Sequence, residues 1–433
     1  MTTELFEKGL AELKAGNYGE ARKLFTQNEE KLGTASKTKE MVREADAALF
    51  QGKLDVAAET LDQVLDRNPS IPEAYLGLAR IALFTGQKGE AKTHATAATK
   101  IAPQLGLSWT MLGLVHESDG DVKQALSLLE KGAQLSPNVF LCQFNYGRIL
   151  ASENRAAEGI PFLIKATDLE PKNPDGFMVL GLAQRQLKQH EKAIKTVEKA
   201  KDLSPKNPDG WATLADLLFE VKQFKAAKDV LDLGLKSVGD HPALLEKALA
   251  CAMMLDDQKA GVDYVERELK VVPNHEQGWI NLANLTLMTG DWDKSEWAAR
   301  ELLKKNPKAW EAWYHLGNLF DAVPDEPKAE EAYRNALAIK PDEWRVVMNL
   351  GTLLLQSTAK AKHLEARGLL QKAKGLVPAG EWRAHYNLAL AHVRLGEVKE
   401  ALALVKEIQA KAPAKDPMVE EAKKLESNLL EKN

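Results

Sequence analysis

Apolar residues in this chain recur at three- and four-residue spacing in stretches of about a dozen residues, each broken by a short polar segment. In EAYLGLARIALF (73–84) they fall along one helical stripe; TGQ interrupts the pattern, and KGEAKTHATAATKIA resumes it before Pro103. The pair predicts two helices joined by a tight turn. The same pattern returns along the chain with a fixed step. Prolines stand at 69, 103, 137, 171 and 205, each 34 residues after the last, and the series resumes in phase at 273, 307 and 341. A series of small residues keeps that step through Ala57, Ala91, Ala125, Gly159, Ala193, Ala227, Gly261, Ser295 and Ala329. Another runs through Ala45, Ala79, Gly113, Gly147, Gly181, Ala215, Ala283, Gly317 and Gly351.

Each position in the period has a physical assignment. Small residues at a helix crossing let two backbones approach where a larger side chain would hold them apart. The aromatics Tyr75, Trp109, Phe177, Trp211, Trp279 and Trp313 precede the second small series by four residues and fill the space beside the crossing. Proline then ends the second helix and fixes the turn into the next hairpin.

The spacing W-x-x-L-G at Trp109, Leu112 and Gly113, and again at Trp313, Leu316 and Gly317, with the downstream Ala and Pro, resembles the tetratricopeptide repeat. The resemblance implies an all-α fold: a right-handed superhelical solenoid of about twelve helical hairpins with a C-terminal capping helix. Units are expected to begin near residues 2, 38, 72, 106, 140, 174, 208, 242, 276, 310, 344 and 382. Residues 1–239 then hold units one to seven and residues 240–413 units eight to twelve, continuous with the first. Residues 414–433 form the cap, with Met418, Val419, Ala422, Leu425, Leu429 and Leu430 on one stripe.

Departures from the period locate irregular packing. Gly239 stands where a proline is expected and Leu249 where a small residue is expected, so the junction near 239–250 should pack differently and couple its neighbours most weakly. From Pro341 to Pro378 the step is 37, which places a three-residue insertion in QSTAKAKHLEA, most simply a longer turn between two helices. Pro324 and Pro327 stiffen another turn.

Composition narrows the function. A chain of 433 residues would ordinarily divide into two or three cores, but a repeat array escapes that limit. With 58 basic and 62 acidic residues the net charge is −4, and nucleic acid is not favoured as a partner. No apolar stretch approaches the roughly 18 residues of a spanning helix, so membrane insertion is not expected. The segment MTTELFEKGLAELKAG reads as a helix rather than a secretory signal, which predicts a cytoplasmic protein. Cys142 and Cys251 sit in apolar helical pattern and read as buried thiols. No phosphate-cradling, metalloprotease or nucleophile-elbow motif is present, so neither enzymatic activity nor a cofactor is expected. His385 and His392 share a helix face but have no third ligand nearby, so no metal is expected either. Trp292 and Trp297 read as packing residues, with partner contact as the alternative.

In arrays of the resembled family the first helix of each hairpin lines the concave surface, and its recurrent polar positions meet the ligand. Those slots hold Arg43, Arg80, Arg148 and Arg185, interrupted by Asp46, Glu117 and Asp216. An acidic partner segment and a solvated mixed face both fit. Asn145, Asn281, Asn284, His315, Asn318, Asn349 and Asn387 resemble the asparagine ladder with which some long arrays hold a peptide backbone, and Tyr314 and Tyr386 stand beside it. Phe6 and Leu10 occupy the slots where a chaperone-tail clamp would place Lys and Asn, which argues against that ligand. The expected function is a scaffold or adaptor holding a protein or extended peptide in the groove. A regulatory or substrate-recruiting subunit of a separate enzyme is the alternative, as is self-assembly through homo-oligomer contacts.

Overall fold

The computed structural model describes residues 3–431, so the expected first residue of unit one, at 2, and the last two residues of the expected cap lie outside it. Among the described residues there are 25 helices and no strand. They form two compact units that divide between Lys222 and Gln223. The first unit runs α1 (Glu4–Lys14), α2 (Tyr18–Leu32), α3 (Ala35–Phe50), α4 (Leu54–Arg67), α5 (Pro72–Phe84), α6 (Lys88–Ile101), α7 (Gly106–Ser118), α8 (Val122–Leu135), α9 (Phe140–Ser152), α10 (Ala156–Leu169), α11 (Pro174–Gln186), α12 (His190–Leu203) and α13 (Pro208–Glu220). The second runs α14 (Phe224–Val238), α15 (Pro242–Met254), α16 (Gln258–Val271), α17 (Glu276–Met288), α18 (Trp292–Lys305), α19 (Trp310–Ala322), α20 (Glu326–Ile339), α21 (Trp344–Leu354), α22 (Lys360–Leu376), α23 (Arg383–Leu395), α24 (Val398–Lys411) and α25 (Pro417–Glu431).

The small-residue series sits at the crossings. A Cβ on Gly113 would lie 2.8 Å from Leu129 Cγ, and one on Gly147 would lie 2.7 Å from Leu163 Cγ and 2.9 Å from the Gly159 carbonyl oxygen. In each case the buried partner lies 16 residues downstream on the second helix. Gly351 instead faces Leu370, 19 residues on, so the three extra residues lie between the two faces and leave the crossing intact. At Gly317 the partner is a tyrosine, Tyr333, which fills the glycine's space and is fully buried.

The aromatic series does more than fill space. Trp109 Nε1 donates to the Pro103 carbonyl at 2.8 Å, Trp211 to Pro205 at 2.9 Å and Trp279 to Pro273 at 2.9 Å, while the Tyr75 hydroxyl donates to Pro69 at 3.2 Å. Each bond ties the first helix of a hairpin to the chain just leaving the one before, satisfying a carbonyl past a helix end. Lys131 lies over the Trp109 ring at 3.4 Å and Lys199 over Phe177 at 4.1 Å.

A second 34-residue rhythm lies in the turns. Gly52, Gly86, Gly120 and Gly290 have positive φ, and the intervening positions Asn154, Lys188, Lys222 and Asp256 adopt it with side chains, at φ 56–61°. The irregular eighth unit exchanges sizes: Leu249 is only 4% exposed, and across from it stands Gly261, whose Cβ would lie 3.5 Å from Leu249 Cδ1. Gly239 caps α14 with φ 92°, and Arg267 clasps Asp240 beside it at 2.6 and 3.0 Å. The first hairpin departs from the others. Its second helix, α2, meets α6 of the third hairpin as well as α3, and carries a buried Glu29 that accepts from Thr38 and from Asn68 (2.8 Å). At the other end α25 buries Val419, Ala422 and Leu429 against α24 and α23.

Candidate partner-binding surface

Within each unit, first helices touch the first helices of neighbouring hairpins: α3 meets α5, α5 meets α7, α7 meets α9, α9 meets α11, and α17 meets α19. The sequence-predicted polar slots form a strip along the first helices, of which the structure leaves some side chains accessible and covers others.

In the first unit the arginines are already answered. Arg80 pairs with Asp46 at 3.3 Å, Arg148 forms a bidentate pair with Glu117 at 2.9 and 2.6 Å, and Arg185 pairs with Glu220. Every pair links the first helices of successive hairpins. The exposed Arg80 pair is worth about 0–1 kcal/mol, whereas the forked, half-buried Arg148 pair is held by charge-assisted geometry. An acidic partner would have to displace Glu117 or Glu220. Arg43 is exposed.

Asn145 departs from expectation. It is buried and donates to the Leu141 carbonyl of its own helix at 2.8 Å, so it presents no amide to a groove. His315, in the same slot, is also buried, and burial pushes its imidazole pKa down to about 4, which keeps it neutral. Neither residue can serve as a surface contact.

The remaining ladder is half-buried rather than solvent-facing. Asn349 donates to Asn318 Oδ1 at 2.9 Å and reaches the Tyr314 hydroxyl at 3.5 Å, while Tyr333 donates to the same Asn318 oxygen at 2.8 Å. Asn387 donates to Thr352 Oγ1 at 2.9 Å, and Asn281 accepts from Gln277 at 2.9 Å. The Asn349 and Asn387 bonds join α19 to α21 and α21 to α23, whereas the Asn281 bond stays within α17. Asn284 is exposed and Tyr386 half-buried. The amides are therefore partly engaged in holding hairpins together, with the Asn349 and Asn387 oxygens left over as fixed acceptors.

Sequence reasoning passed over a second feature. Phe50 is 95% exposed, and Phe84, Met254 and Met288, at the same slot in other hairpins, are exposed as well. Phe50 and Phe84 border a cleft of about 610 Å³ with Leu49, Leu54 and Ile81, crossed by the Asp46–Arg80 pair. The signal was available, since Ser118, Ser152, Gln186 and Glu220 hold that slot between them. Trp297 packs edge-on against Trp279 at 5.2 Å, yet it and Trp292 remain substantially exposed.

The His385 ring lies tilted against Trp382 with centroids 4.9 Å apart, and His392 contacts Glu397 at 2.6 Å. Among the described residues no three His, Cys, Asp or Glu side chains gather as a metal site, and no helix is long and apolar enough to cross a membrane. Cys142 and Cys251 are both buried.

Comparison with known proteins identifies the repeat. Anaphase-promoting complex subunit 3 of Schizosaccharomyces pombe is 24% identical over 122 residues, which is 28% of this chain and only 18% of that protein. Among solved structures, yeast Tom70 is similar with 14% identity and a TM-score of 0.42, covering 92% of this chain and 96% of that one. The structure of Pseudomonas aeruginosa pilF is similar with 24% identity and a TM-score of 0.41, covering 47% of this chain and 92% of that one. Sequence profiles described as tetratricopeptide repeat match residues 42–106, 147–208 and 280–344, a second such profile matches 184–250, and a third matches 382–407. Together these spans take in more than half of the chain, which belongs to the tetratricopeptide repeat family.

Proposed function

We propose that the chain is a non-catalytic interaction scaffold that holds a partner protein through an extended segment laid along the first-helix strip of the second unit. The observation that carries this reading is the amide row from Asn318 through Asn349 to Asn387, in which each side chain is oriented by a hydrogen bond from one atom and keeps another for a ligand. An amide fixed in this way meets a peptide N–H or C=O whatever the peptide's side chains, with less rotamer entropy to lose than a free one. Repeat arrays offer such strips as extended binding surfaces.

The test compares the proteins retained from cell extract by the full chain and by two variants. Combined Asn281→Ala, Asn349→Ala and Asn387→Ala should weaken retention at least tenfold. Thr352→Ala removes the Asn387–Thr352 bond but leaves the amide in place, and should weaken retention far less than the triple variant. Equal retention by the triple variant would defeat the reading.

A further inference from the structure

We propose that the turn edge of the eighth and ninth hairpins is a docking surface for a basic amphipathic helix of a partner protein. Met253 (63% exposed), Met254 (54%) and Leu255 end α15, and Met288 (67%) ends α17. Trp292 opens α18 with its ring turned back towards Gly290, where a Cβ would lie 3.9 Å from Cζ2. The fold does not require apolar residues here, because at the slot of Met254 and Met288 hairpins four to seven carry Ser118, Ser152, Gln186 and Glu220. Methionine is suited to such a surface: its unbranched, polarisable side chain moulds to an apolar partner. A run of exposed apolar side chains, unlike a single scattered one, is the kind of surface that marks an interaction site.

Charge selects the occupant. Asp256 and Asp257 occupy the turn after α15, and Asp291 and Asp293 flank Trp292. None of the four forms an ion pair with a described residue. Asp257 and Asp291 accept the backbone N–H of Ala260 and Lys294, and Asp256 accepts from Gln258, so three of the carboxylates are held in place by hydrogen bonds. Of the lysines nearest in sequence to these carboxylates, Lys294 is turned to Glu266 at 2.7 Å. An apolar strip bordered by fixed carboxylates complements a helix with an apolar stripe flanked by Lys or Arg. On such a helix the residues i, i+3 or i+4 and i+7 form one stripe, with i and i+7 roughly 10.5 Å apart, so several anchors face the surface together. The Phe50 and Phe84 cleft shares the apolar slot, but the paired Asp46 and Arg80 that cross it give no charge preference.

This surface lies at the turns rather than on the first-helix strip, so its failure would leave the groove reading standing. The test titrates the full chain into three labelled synthetic 18-residue peptides: a Lys/Leu amphipathic helix, its Glu/Leu counterpart, and a Lys/Leu scramble with no stripe. The Lys/Leu helix should bind at least tenfold more tightly than the other two, and weaken with added salt. Met254→Ser with Met288→Ser, installing the residue found at that slot elsewhere, should reduce binding at least tenfold. Asp291→Asn with Asp293→Asn should reduce it several-fold and flatten its salt dependence. Phe50→Ser with Phe84→Ser should leave it unchanged. No binding of the Lys/Leu helix, equal binding of the Glu/Leu peptide, or binding indifferent to both the methionine and the aspartate variants would overturn the proposal. The aspartate pair is exposed, so that variant decides the matter even if the methionine variant folds poorly.

Discussion

Glycine to alanine within a helix normally stabilises by up to about 1 kcal/mol, because alanine loses less backbone entropy on folding. The structure predicts that the sign reverses at Gly159 and holds at Gly368. A Cβ on Gly159 of α10 would lie 2.5 Å from the carbonyl oxygen of Gly147 on α9, 3.2 Å from Leu150 Cβ and 3.4 Å from Ala151 N. Ordinary carbon–oxygen approach stops at about 3.3 Å, so the two helices must part by roughly 0.8 Å. No side-chain rotation relieves the clash, because the nearest atom belongs to the main chain. Parting the helices weakens contacts along the whole crossing, where even a 0.5–1 Å gap forfeits about a quarter to a half of the dispersion energy. Overpacking of this kind costs about 1–3 kcal/mol, more than the propensity gain, so Gly159→Ala should destabilise by about 1–2 kcal/mol net. Gly368, exposed in the interior of α22, has nothing within 4 Å of the added carbon, and Gly368→Ala should stabilise by up to about 1 kcal/mol. Urea and thermal unfolding of both variants give the signs. Because arrays can unfold in parts, amide exchange of α9 and α10 should be followed alongside, and should quicken in Gly159→Ala. A Gly159→Ala variant as stable as the parent, with unchanged exchange there, would refute the backbone-contact argument.

Lys188→Gly and Lys222→Gly should each stabilise by a few tenths to about 1 kcal/mol, since a left-handed lysine is strained; Asn154→Gly and Asp256→Gly should gain less, because Asn and Asp tolerate that conformation, and melting temperatures would show the ranking. His315 has an ordinary pKa of 6.5 when exposed and about 4 when folded, so the unfolded chain takes up its proton first as pH falls. Its neutral burial therefore contributes stability present above pH 6.5 and lost towards pH 4, about 3 kcal/mol in all; His315→Asn, using the residue found at this slot in Asn145, should flatten that loss in pH-dependent unfolding. Asn349→Ala and Asn387→Ala should each lower stability by about 1 kcal/mol in denaturant titrations, because each removes a hydrogen bond between hairpins.

Periodicity made the twelve hairpins and the final helix legible because each 34-residue unit must bury the same stripe against its neighbours. The three-residue insertion was legible for the same reason: Gly351 and Leu370 keep their contact around it. The surface was less readable. A slot defines which way a side chain leaves its helix, but not whether the next hairpin supplies something to meet it. Asn145 and Asn349 share a slot, yet one is covered and turns to its own helix while the other reaches across to Asn318. Likewise Arg148 and Glu117 were both legible as polar slots, but their pairing was not, because they lie 31 residues apart, a spacing off the repeat period. The weak coupling expected at the eighth unit rested on Gly239 and Leu249; of these, the leucine is accommodated by Gly261, itself part of the small-residue series.

The bond from Trp109 to Pro103, repeated at Trp211 and Trp279, bears on how such a chain can change over evolutionary time. The angle at which one hairpin meets the next is set in part within a seven-residue segment that spans the boundary between two repeats. A duplicated stretch of 34 residues therefore arrives carrying the joint it needs, made to a main-chain carbonyl that any neighbour can offer. Length becomes an adjustable property: hairpins can be gained or lost without matching changes elsewhere, while turn-edge residues such as Met254 and Met288 diversify on a framework whose joints do not depend on them.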